Sequence, residues 1–253
     1  MLAGTLVLLP LIAAAQTAVP ALMPDRPDFT DSSDVVGHRV VQIETGVRFE
    51  QSDRESQQVS VPDLLVRVGL GSRFELRVGA DGYISQSVRT PSGHIRTHGR
   101  SDVDIGAKLN VMNGSAAGLY IAVLPFLSFP TASNGLGDDG HDAGMKLAAS
   151  RDFPHDFGLS GNVNLSSIGT PGGRTWRREL SLSAGKGFGA VWGGFAEIYG
   201  AIAGDACDCA VDVGVSRAIG TNSQLDVEGG RRLTGLAPSW YVGAGFAVRR
   251  LHH

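Results

Sequence analysis

Acidic and basic side chains recur at alternate positions through much of this 253-residue chain. Asp63 precedes Arg67, Glu75 precedes Arg77, Asp102 and Asp104 precede Lys108, Arg177 precedes Glu179, and Asp226 precedes Glu228. Carboxylates and bases so spaced can line a polar surface and hold ions or polar solutes electrostatically. Covalent catalysis would need a nucleophile beside a base at one place, and none can be assembled. Other constellations are weaker. His141 with Asp138, Asp139 and Asp142 has the residue types of a metal or acid–base cluster, but it reads as a solvated, glycine-rich loop. Cys207-Asp208-Cys209 reads as an exposed loop: a disulfide between thiols one residue apart is strained, and two ligands hold a metal poorly. Gly69-Leu70-Gly71 lacks the third glycine and the following helix of a dinucleotide site. No catalytic residue, cofactor or metal is expected.

The elements that carry these charges are strands. In Leu64–Ala80, Leu64, Val66, Val68 and Leu70 share one face while Leu65, Arg67 and Gly69 share the other. After Gly71-Ser72, Phe74, Leu76, Val78 and Ala80 oppose Glu75, Arg77 and Gly79. Side chains alternate across a strand, so this is a hairpin with one apolar and one charged face. The same alternation starts at Val40 and returns at 103–110, 143–150, 157–166, 177–184, 192–198, 211–215, 224–228 and 240–248, and Leu119–Phe129 reads as a further strand, apolar on both faces. That makes about twelve antiparallel strands, each near the ~9–11 residues that cross a bilayer at a tilt. Connections near Gly71, Asn113, Asp152, Phe188 and Gly220 are short. Those near Ser56, Gly93, Gly137, Gly172, Asp205 and Leu236 are mostly longer, with Tyr83–Arg100 a long polar loop carrying Arg89, His94, Arg96 and His98.

Phe49, Tyr83, Phe129, Phe157, Trp176, Trp192 and Trp240 fall near strand ends, where the aromatic girdles of a membrane barrel lie. A hydrophobic content of 42 % is too low for a helical membrane protein, and a net charge of −3 gives no nucleic-acid footprint. The expectation is an all-β, antiparallel transmembrane β-barrel with short periplasmic turns and longer extracellular loops. Leu2–Ala15 resembles a secretory leader, ending in Ala13-Ala14-Ala15. The organisation read from these features is a signal peptide at 1–15, a periplasmic N-terminal segment at 16–36, and a barrel at 37–253 in the bacterial outer membrane.

The segment before the first strand reads Asp25-Arg26-Pro27-Asp28-Phe29-Thr30-Asp31-Ser32. It resembles the entry motif of a bacterial outer-membrane family, that of the MetA pathway of phenol degradation. Leu225-Asp226-Val227-Glu228-Gly229-Gly230 and the stretch from Ala237 to Phe246 are also similar. The resemblance implies a channel for small, hydrophobic or aromatic solutes and supplies no catalytic residues. A closed structural barrel and a lipid-modifying barrel hydrolase are the competing readings. The segment is read as a structural clasp at the periplasmic rim, with ligand binding, plugging of the barrel and contact with assembly factors as alternatives.

The strand register puts Glu44, Arg48, Glu50, Asp63, Arg67, Glu75, Arg77, Asp81, Asp102, Asp104 and Lys108 on the inward face. Lys146, Arg177, Glu179, Glu197, Asp212, Asp226 and Glu228 complete it. Carboxylates outnumber bases there, so the expectation is a narrow lumen with weak cation preference, or one passing neutral small molecules. Val66, Val78, Val213 and Val242 are expected to face lipid. The partners expected are outer-membrane lipid and lipopolysaccharide, the barrel assembly machinery and a small solute. The chain ends Arg249-Arg250-Leu251-His252-His253, without the terminal aromatic usual in such barrels, which leaves Phe246 or Leu251 to serve in its place.

Overall fold

The computed structural model describes residues 22–52, 55–114, 118–133, 135–137, 140–204, 206–235 and 238–251. The leader-like stretch, Asp138, Asp139 and His252-His253 lie outside the described residues. Fourteen strands are laid down in order: β1 (Val40–Gln51), β2 (Ser56–Gly69), β3 (Phe74–Ala80), β4 (Tyr83–Thr90), β5 (Gly93–Arg100), β6 (Val103–Met112) and β7 (Leu119–Phe129). They continue as β8 (Asp142–Phe153), β9 (Phe157–Thr170), β10 (Gly173–Phe188), β11 (Trp192–Ala203), β12 (Ala206–Ala218), β13 (Ser223–Thr234) and β14 (Trp240–Leu251). All pairings are antiparallel; most join sequence neighbours, β2–β4 and β3–β6 do not, and β1 pairs with both β14 and β2, so the sheet closes on itself. Closure leaves no open edge along the wall.

The wall has twelve strands. β2 pairs with β3 through Leu64–Gly69 and with β4 through Ser56–Val61, so β3 and β4 are two lengths of one strand. β5 and β6 are likewise two lengths of its neighbour, pairing with β4 and β3. The break has a local cause. Pro62 has no N–H to give the ladder, and Gly82 opposite it sits at φ +70, where a Cβ would run into the Pro62 carbonyl. The polar stretch Tyr83–Arg100 is therefore a projecting hairpin rather than the loop expected. Polar side chains on both of its faces erased the alternation that marks a strand. The connection at 171–172 is also tight, the added length there being strand; Asp205 lies outside the described residues, and Cys207 and Cys209 lie in β12 as free thiols.

Burial runs opposite to that of a water-soluble fold. Val213 is 60 %, Leu180 63 % and Val227 57 % exposed, whereas Glu44, Arg67, Glu75 and Lys108 are fully buried. Charged side chains are almost never buried unless paired, so the inside is polar and the outside apolar. Val66, Val78, Val213 and Val242 sit on the outward face, with Val66 paired to Val78 and Ile43. Trp192, Trp240, Phe188 and Tyr83 are exposed at or beside strand ends. The buried apolar cluster is small, comprising Ala122, Leu124 and Ala148 on the inner face of β7 and β8.

Candidate functional site

The segment 25–36 has no regular structure and lies inside the barrel, not at its rim as a clasp. Three inward cations converge on the Asp25 carboxylate: Arg67 at 3.3 Å, Lys108 at 2.7 Å, and Arg77. Arg67 and Lys108 come from β2 and β6, Arg77 from β3, and each points inward because the period-2 pattern of its strand puts an apolar neighbour outward. The Arg67 guanidinium also meets Glu44 at 3.2 Å and Glu75 at 2.8 Å. Backbone N–H groups complete the seat: those of Asp25 and Arg26 donate to Glu44 at 2.9 Å, and that of Val36 donates to Glu75 at 2.7 Å. Burial alone would raise the Asp25 carboxyl, but Arg67, Lys108 and Arg77 outweigh it and hold the group well below the usual carboxylate range.

Arg26 lies in a slot with a glycine floor. Gly46 pairs with Gly245, and Asp63 and Asp226 flank this pair on β2 and β13. A Cβ on Gly46 would lie 2.5 Å from Arg26 Nη2, so only a bare backbone admits the guanidinium, which is paired with Asp63. On the next inward row Glu228 lies over Gly243 towards Arg48, which stacks 3.8 Å above the Tyr241 ring.

The far half of the motif crosses to β8–β11. Asp31 bridges Arg77 at 2.8 Å and Lys146 at 2.6 Å, and its backbone exchanges hydrogen bonds with Asn162. The N–H groups of Phe29 and Thr30 donate to the two Glu197 oxygens at 3.0 and 2.9 Å, and the Phe29 ring stacks on Tyr199 with centroids 4.5 Å apart. Asp28 has no cation in this set. Its carboxylate accepts from Ser183 at 3.3 Å, and burial, then the nearby Glu197 charge, push it well above the usual range.

The segment divides the lumen. A cavity of about 570 Å³ opens towards the rim of the β4–β5 hairpin and is lined by Arg48, Asp63, Arg77, Asp81, Asp104, Lys146, Arg177 and Glu179. Leu65, Leu124, Phe126 and Ile168 give it an apolar arc. A second cavity of about 430 Å³ opens towards the rim that carries the 154–156 turn. Asp28 lines both.

Of the residues expected on the solute path, Arg67, Glu75, Glu44 and Lys108 are engaged by the segment. Asp226 and Glu228 face inward from the wall without lining either cavity. Asp102 does not join them: it lies between β5 and β6 and accepts the Ala132 N–H at 2.9 Å, fastening the 130–141 connection. His141 and Asp142 also part company. His141 meets Phe129 edge-on, while buried Asp142 accepts the Gly169 N–H at 2.7 Å and lies 3.5 Å from Arg174. Asp34, Asp152 and Asp156, which line the smaller cavity, escaped the sequence reading because Asp34 lies in the irregular segment, Asp156 at a turn, and Asp152 at the end of β8 in a stretch read as a turn. No group of three metal ligands occurs among the described residues.

Solved structures share this architecture. An outer membrane channel of the COG4313 group from Pseudomonas putida F1 superposes with a TM-score of 0.68 at 12 % identity, covering 86 % of this chain and 98 % of that one. The NanC porin gives 0.54 at 8 % identity, covering 84 % and 100 %, and the KdgM porin 0.52 at 12 %, covering 83 % and 99 %. At such identities the likeness is one of fold: an antiparallel twelve-stranded closed barrel of the outer-membrane channel type. No curated protein matches the sequence. The sequence model of the family described as "Putative MetA-pathway of phenol degradation" matches residues 24–250, from the motif to the last strand, and the chain belongs to that family.

Proposed function

We propose that this protein is a passive outer-membrane channel for small neutral or cationic solutes. The observation that carries the reading is the pair of cavities entering from opposite rims, parted by one irregular segment and sharing Asp28. A solid barrel would be filled by its own wall side chains; here a piece of chain outside the sheet does the filling. The excess of inward carboxylates favours cations, and low-dielectric walls focus their field. The apolar arc of the larger cavity supports aromatic solutes of phenol size. In this reading the short-turn rim faces the periplasm. The projecting β4–β5 hairpin, with Arg89, Arg96 and Arg100, meets lipopolysaccharide phosphates, and Phe246 on β14 serves the assembly machinery.

The test is solute flux into liposomes carrying purified protein. Phenol and glycerol should enter faster than into protein-free liposomes, and a large sugar should not. A second reading, a closed structural barrel, draws on the density of bonds that seat the segment. Absence of any flux above the protein-free rate would favour it.

A further inference from the structure

The two cavities differ in charge. The larger holds bases and acids together, most of them in pairs: Arg177 meets Glu179 at 2.7 Å, and Lys146 meets Asp31 at 2.6 Å. The smaller cavity has four carboxylates in its lining, Asp28, Asp34, Asp152 and Asp156, and no Lys or Arg among the described residues that line it. Its remaining polar lining is hydroxyl, including Ser150 and Ser183, which solvates a cation through lone pairs and carries no charge to repel it. Two bases neighbour lining residues in sequence and alternate with them: Arg151, which lies 5.0 Å from the Phe153 ring centroid, and Lys186 beside Gly185 on β10, whose ammonium is held by the His155 carbonyl. Asp152 and Asp156 are exposed at the mouth, where a field reaches a solute before it meets the segment.

Resting on the channel reading, we infer that this vestibule is the selectivity chamber of the pore: Asp152 and Asp156 at its mouth, with Asp34 within, concentrate small cations and set the preference for cations over anions. The larger vestibule contributes less because most of its charges are already paired and its bases offset its acids. Conduction is therefore asymmetric, with cations drawn in more readily from the short-turn rim.

The experiment is the reversal potential across a salt gradient in a planar bilayer, for the full chain and two charge-matched pairs of substitutions. Asp152→Asn with Asp156→Asn should cut the cation-to-anion permeability ratio at least about twofold at 0.1 M salt, where screening reaches only ~10 Å. Asn tolerates the left-handed backbone of Asp156 at φ +56, so the turn is kept. Asp81→Asn with Asp104→Asn, in the larger vestibule, should change the ratio by less. Heat-modifiable gel migration checks that each variant is folded. An equal or larger effect from the second pair, or no effect from the first, overturns the assignment while the channel reading stands. No current from the full chain or from a chain lacking residues 22–36 overturns the channel reading and the assignment with it.

Discussion

Asp25 and Asp28 are three residues apart in one motif, yet the walls they face treat them oppositely. On the β2–β3–β6 side three cations surround Asp25, and the charge is held in its ionised form. On the β10–β12 side Asp28 meets a serine, with the carboxylates of Glu197 and Asp212 nearby, and its ionised form is disfavoured. The first contact locks the segment; the second sits at the partition between the two cavities and is the one able to yield. A plug built this way is fastened at one end and electrostatically loose in the middle.

The comparison can be broken most decisively at Asp25. Replacing it by Ala leaves Arg67, Lys108 and Arg77 under-compensated in a buried place, at a cost of about 3–5 kcal/mol to the seated state. Cleavage of the segment by added protease should rise more than about a hundredfold. Unchanged resistance would show that Asp25 is not the lock. Val213→Arg, on the outward face, separates seating from barrel stability. It should lower resistance to urea unfolding by about 2–4 kcal/mol while leaving protease resistance of the segment unchanged. Asp28→Asn keeps a group able to meet Ser183 and removes a charge beside Glu197. Seating should tighten by no more than ~1 kcal/mol, so loss of seating would contradict the reading of that wall.

The smallest effect is that of pH. A carboxyl raised in the seated state favours seating below its ordinary value near ~4 and loses that contribution as pH rises through the raised value. Asp28 therefore loosens the segment on going from mildly acidic to alkaline pH. Asp25, lowered in the seated state, contributes above that ordinary value and fails only when pH falls through its own depressed value. Channel open time should rise from pH 5 to pH 8 in the native chain and rise less in the Asp28→Asn variant, where Glu197, a carboxyl that also seats the segment, remains. A rise undiminished in that variant would assign the titration elsewhere.

The wall was legible because a strand has a period of two and the barrel has two unlike solvents. Val66 beside Arg67 and Val213 beside Asp212 announce their faces locally. The Asp25–Ser32 motif was visible as a motif, but not its place, since its contacts reach residues such as Glu197 and Asn162 far along the chain. An irregular segment imposes no period. The signal present was complementarity: inward cations at Arg67, Arg77 and Lys108, close on neighbouring strands, needed an acid that the wall itself did not fully supply. The β4–β5 hairpin was missed for the opposite reason, since a strand wet on both faces carries no alternation.

Single-channel recording of the full chain beside one lacking residues 22–36 tests the central claim most directly, that this segment is the barrier inside an otherwise continuous lumen. Removing it should raise the conductance several-fold and keep a cation-selective reversal potential. Conductance that is unchanged, or absent in both chains, would contradict the account.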